Sequence, residues 1–165
     1  MGREQARAAE GPSPLTGPDV GAPAPLFEAR NQHGETISLA ALRGAPALLV
    51  FYPFAFTGIC TGELTALQQQ LPAFVDLSAR ILAISTDTMF ALRVFGEQQS
   101  LRFDLLTDHW PHGEIASAYG VFDAQVGCAI RGSFLVDAQG IVRWKVVNQL
   151  GEGREIAEHL AALAA

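Results

Sequence analysis

Residues 47–52, Ala-Leu-Leu-Val-Phe-Tyr, form an unbroken apolar run that stops at Pro53. A short run of this kind, with β-branched and aromatic members and a proline at its end, reads as a buried strand. Beyond it, Leu64, Leu67 and Leu71 recur at helical spacing. The chain must therefore pass from strand to helix through a brief loop, and Cys60 falls in the first turn of that helix. A helix start offers unpaired N–H groups and a partial positive charge, and both favour thiolate over thiol. Cysteines so placed have pKa values lowered to roughly 3.5–7.5. The same position also suits a buried cysteine that acts only as a small apolar residue.

The pattern on either side of this unit predicts the rest of the architecture. Residues 26–30 and 37–39 read as short strands around a turn at Gly34. Ser38 is placed to cap a helical turn over 39–42 that Gly44 ends. Pro72 falls near the end of the Cys60 helix or at a kink in it. Residues 80–86 alternate as a second core strand. Thr86, Asp87 or Thr88 then caps a helix over 89–98, with Leu92 and Phe95 inward. A brief strand at 103–106 and a short helix at 112–119, closed by Gly120, follow. Strands at 129–136 and 141–147 form a hairpin with Gly140 in its turn. A terminal helix over 152–165 turns Ile156, Leu160 and Leu163 inward. The order β-α-β-α, hairpin, α gives an α/β domain, a mixed central sheet flanked by helices.

Composition excludes several function classes. A chain of 165 residues is one domain's worth and long enough for a real core. Its net charge of −6 argues against nucleic acid or an anionic membrane as partner. No apolar run approaches the ~20 residues that span a bilayer. The start of the chain is polar, mixed in charge and without an apolar core segment, so it reads as neither a signal nor a transit peptide. Residues 1–18 are expected to be a flexible leader and 19–165 the folded domain. Two cysteines without a secretory signal point to a reducing compartment, the cytoplasm, where thiols are catalytic more often than structural.

The spacing Pro-x-x-x-Thr-x-x-Cys, here Pro53, Thr57 and Cys60, resembles the signature of the peroxiredoxins, thiol peroxidases on a thioredoxin-like fold. The resemblance covers most of the chain. Residues 20–27 are similar to the family's opening strand, residues 31–35 to the hairpin after it, and residues 131–137 to the strand bearing its active-site arginine. The tract 51–64, with Thr107-Asp108-His109-Trp110-Pro111-His112-Gly113 and Ala118-Tyr119-Gly120-Val121-Phe122, is most similar to the alkyl hydroperoxide reductase E group, a bacterial one-cysteine branch.

What the resemblance implies is specific. The fold is thioredoxin-like with an N-terminal hairpin extension. Cys60 attacks hydrogen peroxide or an organic hydroperoxide, becomes sulfenic acid and is restored by an external thiol or redoxin. Charge moves from sulfur across both peroxide oxygens, so donors aimed along that line of atoms help. Thr57 offers a hydroxyl to sulfur or peroxide. Arg131 favours the thiolate and holds the peroxide with its fixed N–H fork. The Ile59 and Cys60 amides add donors, and Pro53 shapes the loop and shields the sulfur. Glu63 is either a first-turn acid meeting the helix dipole or a residue that orients the arginine. Arg143 has no assigned role. No cofactor and no metal are called for, and a homodimer or higher homo-oligomer is expected.

Cys128 is the other thiol. It lies three residues before Arg131, so on a regular strand it points to the opposite face. A packing role is favoured over a resolving one, which would need loop motion or a second subunit. Thr65 stands where one monomeric branch of the family keeps a resolving cysteine. His109 and His112 flank Trp110-Pro111, and Pro111 breaks the helix on which two such histidines could hold zinc. With Phe54 and Phe56, Trp110 supplies aromatic surface suited to a contact between subunits. A thioredoxin-type carrier is disfavoured, because positions 57 and 63 are Thr and Glu rather than Cys. A non-enzymatic peroxide sensor would use the same Cys60.

Overall fold

The computed structural model describes residues 17–165, and most of the expected leader lies outside the described residues. The core is a five-stranded sheet in the order β5-β4-β3-β8-β9. Its strands are β3 (Ala47–Phe51), β4 (Arg80–Ser85), β5 (Asp104–Thr107), β8 (Arg131–Val136) and β9 (Val142–Asn148). β3, β4 and β5 run parallel, while β8 is antiparallel to both β3 and β9. A hairpin of β1 (Glu28–Arg30) and β2 (Thr36–Ser38) precedes the sheet. A small pair, β6 (Phe122–Asp123) with β7 (Cys128–Ala129), lies outside it.

Strand alternation divides the apolar residues into two layers. Leu48, Val50, Tyr52, Ile81, Ala83, Leu105 and Leu135 meet the helices α1 (Gly58–Asp76), α2 (Met89–Gln98) and α4 (Ile156–Ala164). Ala47, Leu49, Phe51, Leu82, Ile84, Phe134 and Val136 face the other way, toward the hairpin residue Ile37 and α3 (Glu114–Ala118). α1 carries Cys60, Leu64, Leu67 and Phe74 on its buried stripe. Leu71, the next position in that spacing, is half-buried.

Several boundaries differ from the sequence reading, each for a local reason. Leu39 rather than Ser38 occupies the cap position of the 3-10 turn, with no side-chain cap bond. Thr88 is the cap of α2, its hydroxyl accepting the Ala91 amide at 3.3 Å. α3 begins at Glu114, not His112, because Gly113 takes a left-handed conformation (φ 71°) just before it. The buried Asp108 carboxylate caps α3 instead, accepting the Ile115 and Ala116 amides at 3.0 and 2.9 Å. α4 starts at Ile156 rather than Glu152: Glu155 is extended (φ −82°, ψ 103°), and the Arg154 amide before it donates to Glu63 Oε2, 2.8 Å away. The expected strand over 129–136 is interrupted at Ile130, whose carbonyl accepts the Gly132 amide at 3.1 Å. Cys128 therefore belongs to β7, and face alternation counted from Arg131 does not reach it.

Candidate active site

The loop between β3 and α1 is fixed before it reaches Cys60. Phe56 is held at φ 68°, costly for a bulky side chain. Its ring packs edge-on against Phe95 of α2 at 5.2 Å between centroids. The Ala55 amide donates to Asp87 Oδ2 at 2.9 Å. Pro53 is buried. Thr57 occupies the cap position of α1 in extended geometry, without capping by its side chain. The first backbone hydrogen bond of the helix runs from Thr61 N to Thr57 O, 2.9 Å. The Gly58, Ile59 and Cys60 amides thus have no intrahelical partner, and the positive end of α1 sits at the sulfur.

Arg131, first residue of β8, projects onto the same layer. Its Nη1 lies 3.3 Å from Cys60 Sγ and 2.6 Å from Glu63 Oε1, and its Nε donates to Leu150 O at 2.8 Å. Glu63 is one turn along α1 from Cys60 and lies between two guanidiniums. Arg154 grips it from the other side: Nε donates to Oε2 at 2.8 Å and Nη2 to Oε1 at 3.0 Å. Arg154 Nη1 reaches back to β8, donating to Gly132 O at 2.9 Å and Ser133 Oγ at 3.1 Å. Burial alone would push the Glu63 carboxyl up, but the hydrogen bonds and charge of Arg154, with the charge of Arg131, hold it below the usual carboxylate range. Two buried cations and one buried anion leave one positive charge in excess. That excess faces the sulfur through Arg131 Nη1.

Other expected residues sit differently. The Thr57 hydroxyl is exposed and donates to Phe54 O at 2.7 Å, not to the sulfur. Cys60 has 0% exposure in this conformation. Tyr52 shares the buried layer with Cys60, and burial keeps its phenol neutral, well above the usual tyrosine range. Cys128 is buried too, and burial pushes its thiol up to about 11. Arg143 pairs with Asp137 at the surface. His109 Nδ1 meets Thr86 O at 3.2 Å and His112 Nε2 meets Gly127 O at 2.6 Å. Among the described residues, no three His, Cys, Asp or Glu side chains converge as metal ligands.

This geometry, a helix-start thiol against an arginine from the adjacent strand layer, can be set beside known proteins. A profile of the AhpC/TSA family matches residues 20–145. The chain belongs to the AhpC/TSA family. It is 45% identical over 148 residues to alkyl hydroperoxide reductase E of Mycobacterium tuberculosis, covering 89% of this chain and 97% of that one. It is 32% identical over 158 residues to a putative peroxiredoxin in the rubredoxin operon of Clostridium pasteurianum, covering 88% of each. The crystal structure of reduced Plasmodium vivax 2-Cys peroxiredoxin superposes with a TM-score of 0.81 at 28% identity, covering 90% of this chain and 82% of that one. The fold is the thioredoxin-like fold of the peroxiredoxins, with its mixed sheet between helices.

Sequence reasoning missed Arg154. It lies 91 residues from Glu63, in a stretch read as ordinary helix. Its one local signal is the flanking Gly151 and Gly153, which mark 151–154 as turn rather than first helical turn. Ser133 and His159 were also passed over, although His159 falls on the inward stripe with Ile156 and Leu160.

Proposed function

We propose that the chain is a thiol peroxidase that reduces hydrogen peroxide and organic hydroperoxides, with Cys60 as attacking thiolate. The observation that carries this reading is the 3.3 Å approach of Arg131 Nη1 to Cys60 Sγ at the open end of α1. The sulfur lone pair forms a bond to the terminal peroxide oxygen as the O–O bond breaks. The cysteine leaves the step as sulfenic acid, and the departing alkoxide or hydroxide takes a proton from solvent. Arg131 Nη2 has no partner among the described residues and is available to a peroxide oxygen. The amides at the start of α1 stabilise the negative charge that passes from sulfur across the peroxide oxygens to the departing one. Because the sulfur is buried, the loop over 53–57 must yield for peroxide to enter, and Pro53 keeps bulk water off the thiolate between turnovers.

A first external thiol or redoxin attacks the sulfenic sulfur, releasing water and forming a mixed disulfide. A second thiol displaces Cys60, leaving the reductant oxidised. Cys128 serves in packing: a thiol held up to about 11 is a poor nucleophile at neutral pH. In this reading the chain works in the cytoplasm on a peroxide and a thiol or redoxin, and its net charge of −6 speaks against a nucleic-acid or anionic-membrane partner. None of its described helices is long and apolar enough to cross a membrane, and both cysteines are free. A second copy of the chain covers the exposed aromatic surface. Phe54, Phe56 and Phe90 are exposed near the starts of α1 and α2, Trp110 is 84% exposed, and an open groove of about 640 Å³ lies beside Phe90 and Trp110. Sedimentation of the wild type against Trp110→Ser tests that pairing.

The deciding experiment is peroxide consumption with excess dithiol, paired with mass spectrometry after one equivalent of peroxide. Catalytic turnover and gain of one oxygen on Cys60 are expected. One reaction per chain with no turnover under excess reductant would instead describe a sensor.

A further inference from the structure

The hydrogen-bond chain that ends at Cys60 begins in α4. His159 Nδ1 lies 3.0 Å from the Glu155 carbonyl, which can only accept, so Nδ1 carries the proton. Burial drives the imidazole down to about 4, so it is neutral near pH 7 and Nε2 is an acceptor. Among the described residues, the donor against Nε2 is the Ser133 hydroxyl, at 2.8 Å. With its proton given to His159, Ser133 Oγ turns its lone pairs to Arg154 Nη1 at 3.1 Å. Each link fixes the direction of the next. Arg154 then fixes Glu63 by its fork, and Glu63 Oε1 is shared with the same Arg131 nitrogen that faces the sulfur.

We propose that Ser133 and His159 are positioning residues for the Cys60 reaction: the neutral imidazole on α4 locks the Ser133 hydroxyl, that hydroxyl locks the Arg154 guanidinium, and Arg154 sets the carboxylate that aims Arg131 at the sulfur. The inference rests on the peroxidase reading for its kinetic consequence only, since the geometry of the thiolate exists without substrate. A core histidine with no such role would need only one satisfied nitrogen and a ring to pack against. His159 has the ring contact, with Trp144 at 5.0 Å between centroids. It also spends its second nitrogen on a residue whose other partner is Arg154. The inward positions around it on α4 are apolar, so packing alone did not require an imidazole there.

The test uses Ser133→Ala, His159→Leu, their double variant and His159→Gln. The readouts are the ultraviolet titration of the Cys60 thiolate (in a Cys128→Ser background) and the single-turnover rate of Cys60 oxidation. Ser133→Ala and His159→Leu are expected to move the thiolate titration to higher pH and to slow oxidation about three- to tenfold, the scale of one net hydrogen bond. The double variant should lose no more than the larger single loss, because both break one chain. His159→Gln should recover most of the rate, its amide oxygen accepting from Ser133 and its NH₂ serving a carbonyl. If His159→Leu fails to fold, Ser133→Ala and His159→Gln decide the matter. Unchanged titration and rate in folded Ser133→Ala, or additive losses in the double variant, would overturn the proposal. A wild type that titrates as expected but does not reduce peroxide would overturn the peroxidase reading while the titrations still judge the positioning chain.

Discussion

From Ile130 onward, side chains enter two different surroundings. Ile130, Phe134 and Val136 join a layer that is almost entirely apolar, in which the Phe51, Tyr119 and Phe134 rings pack edge-on or tilted with centroids 5.0–5.9 Å apart. The Tyr119 hydroxyl within it donates to the Pro25 carbonyl at 2.7 Å. Arg131 and Ser133 enter the opposite layer and meet Cys60, Glu63, Arg154 and His159. One strand thus supplies both a rigid apolar anchor and a charged, hydrogen-bonded cluster. The apolar layer obtains its stability from area and packing, so it tolerates small displacements. The polar layer is net costly to bury and is held only while every partner is present. Damage to the first should therefore appear in stability alone, and damage to the second in reactivity as well.

The sharpest break comes at the sulfur. Cys60→Ser should abolish peroxide consumption, whereas Cys128→Ser should leave the first oxidation near wild type. Both thiols are buried, but only Cys60 has a guanidinium within hydrogen-bonding distance. Mass spectrometry after stoichiometric peroxide checks this. A rapid Cys60–Cys128 disulfide in the wild type would give Cys128 the resolving role and move this chain to a different mechanistic branch.

Next come paired variants on neighbouring strand positions. Arg131→Met should slow Cys60 oxidation by about 10²–10³, the effect of losing one donor of a preorganised anion site. Phe134→Ala should cost about 3–5 kcal/mol in urea unfolding while leaving the rate per folded molecule unchanged. A Phe134→Ala protein that is folded yet slow would mean that the apolar layer also tunes the site.

A third contrast is in pH. Burial lowers His159 to about 4 from an ordinary value of 6.5. The unfolded chain then holds the extra proton between those values, so stability is full above about 6.5 and is lost as pH falls toward 4, by on the order of 3 kcal/mol. Asp108, under α3 on the other side, runs the opposite way. Burial raises it to about 6 from 3.8, the folded chain holds the extra proton, and stability is lost as pH rises through that window. The two slopes oppose each other, so wild-type stability should be nearly flat between pH 4 and 6. His159→Gln should leave a protein that weakens as pH rises there, and Asp108→Asn one that weakens as pH falls. Urea midpoints at pH 4, 5, 6 and 7 would show it, and parallel curves for all three proteins would contradict both assignments.

Local pattern carried the strand–loop–helix unit, the two faces of β3, β4 and β5, and the closing hairpin, because periodicity records which side of an element is buried. Arg131 and Glu63 came from the resemblance; the apolar neighbours Ile130 and Phe134 mark a core strand but name no partner for its arginine. Arg154 was hidden for a physical reason. Its contacts span 91 residues to Glu63, and they hold it in non-helical backbone ahead of α4, where the sequence pattern predicts a helical turn. Burial of Cys60 was one of two readings the sequence left open, and the left-handed Phe56 in the loop before it, its ring against Phe95, has no local signal. Glycine would have announced such a turn, and phenylalanine does not.

The smallest expected effect lies at the rim of the polar layer, on Thr57. Its hydroxyl donates to Phe54 O at 2.7 Å, so in this conformation it ties the loop and leaves the sulfur to Arg131. Thr57→Val preserves the branched shape and removes that bond, which should slow oxidation about tenfold at most, the worth of one net hydrogen bond spent on loop position. Thr57→Ser keeps the hydroxyl and should stay close to wild type. Stopped-flow oxidation of both variants separates two roles for the residue. A Thr57→Val loss of about 10²–10³, matching Arg131→Met, would mean that the hydroxyl swings from the Phe54 carbonyl onto peroxide or sulfur when the loop opens. The polar layer would then extend into the loop itself, and the boundary drawn here between loop support and chemistry would have to move outward to residue 57.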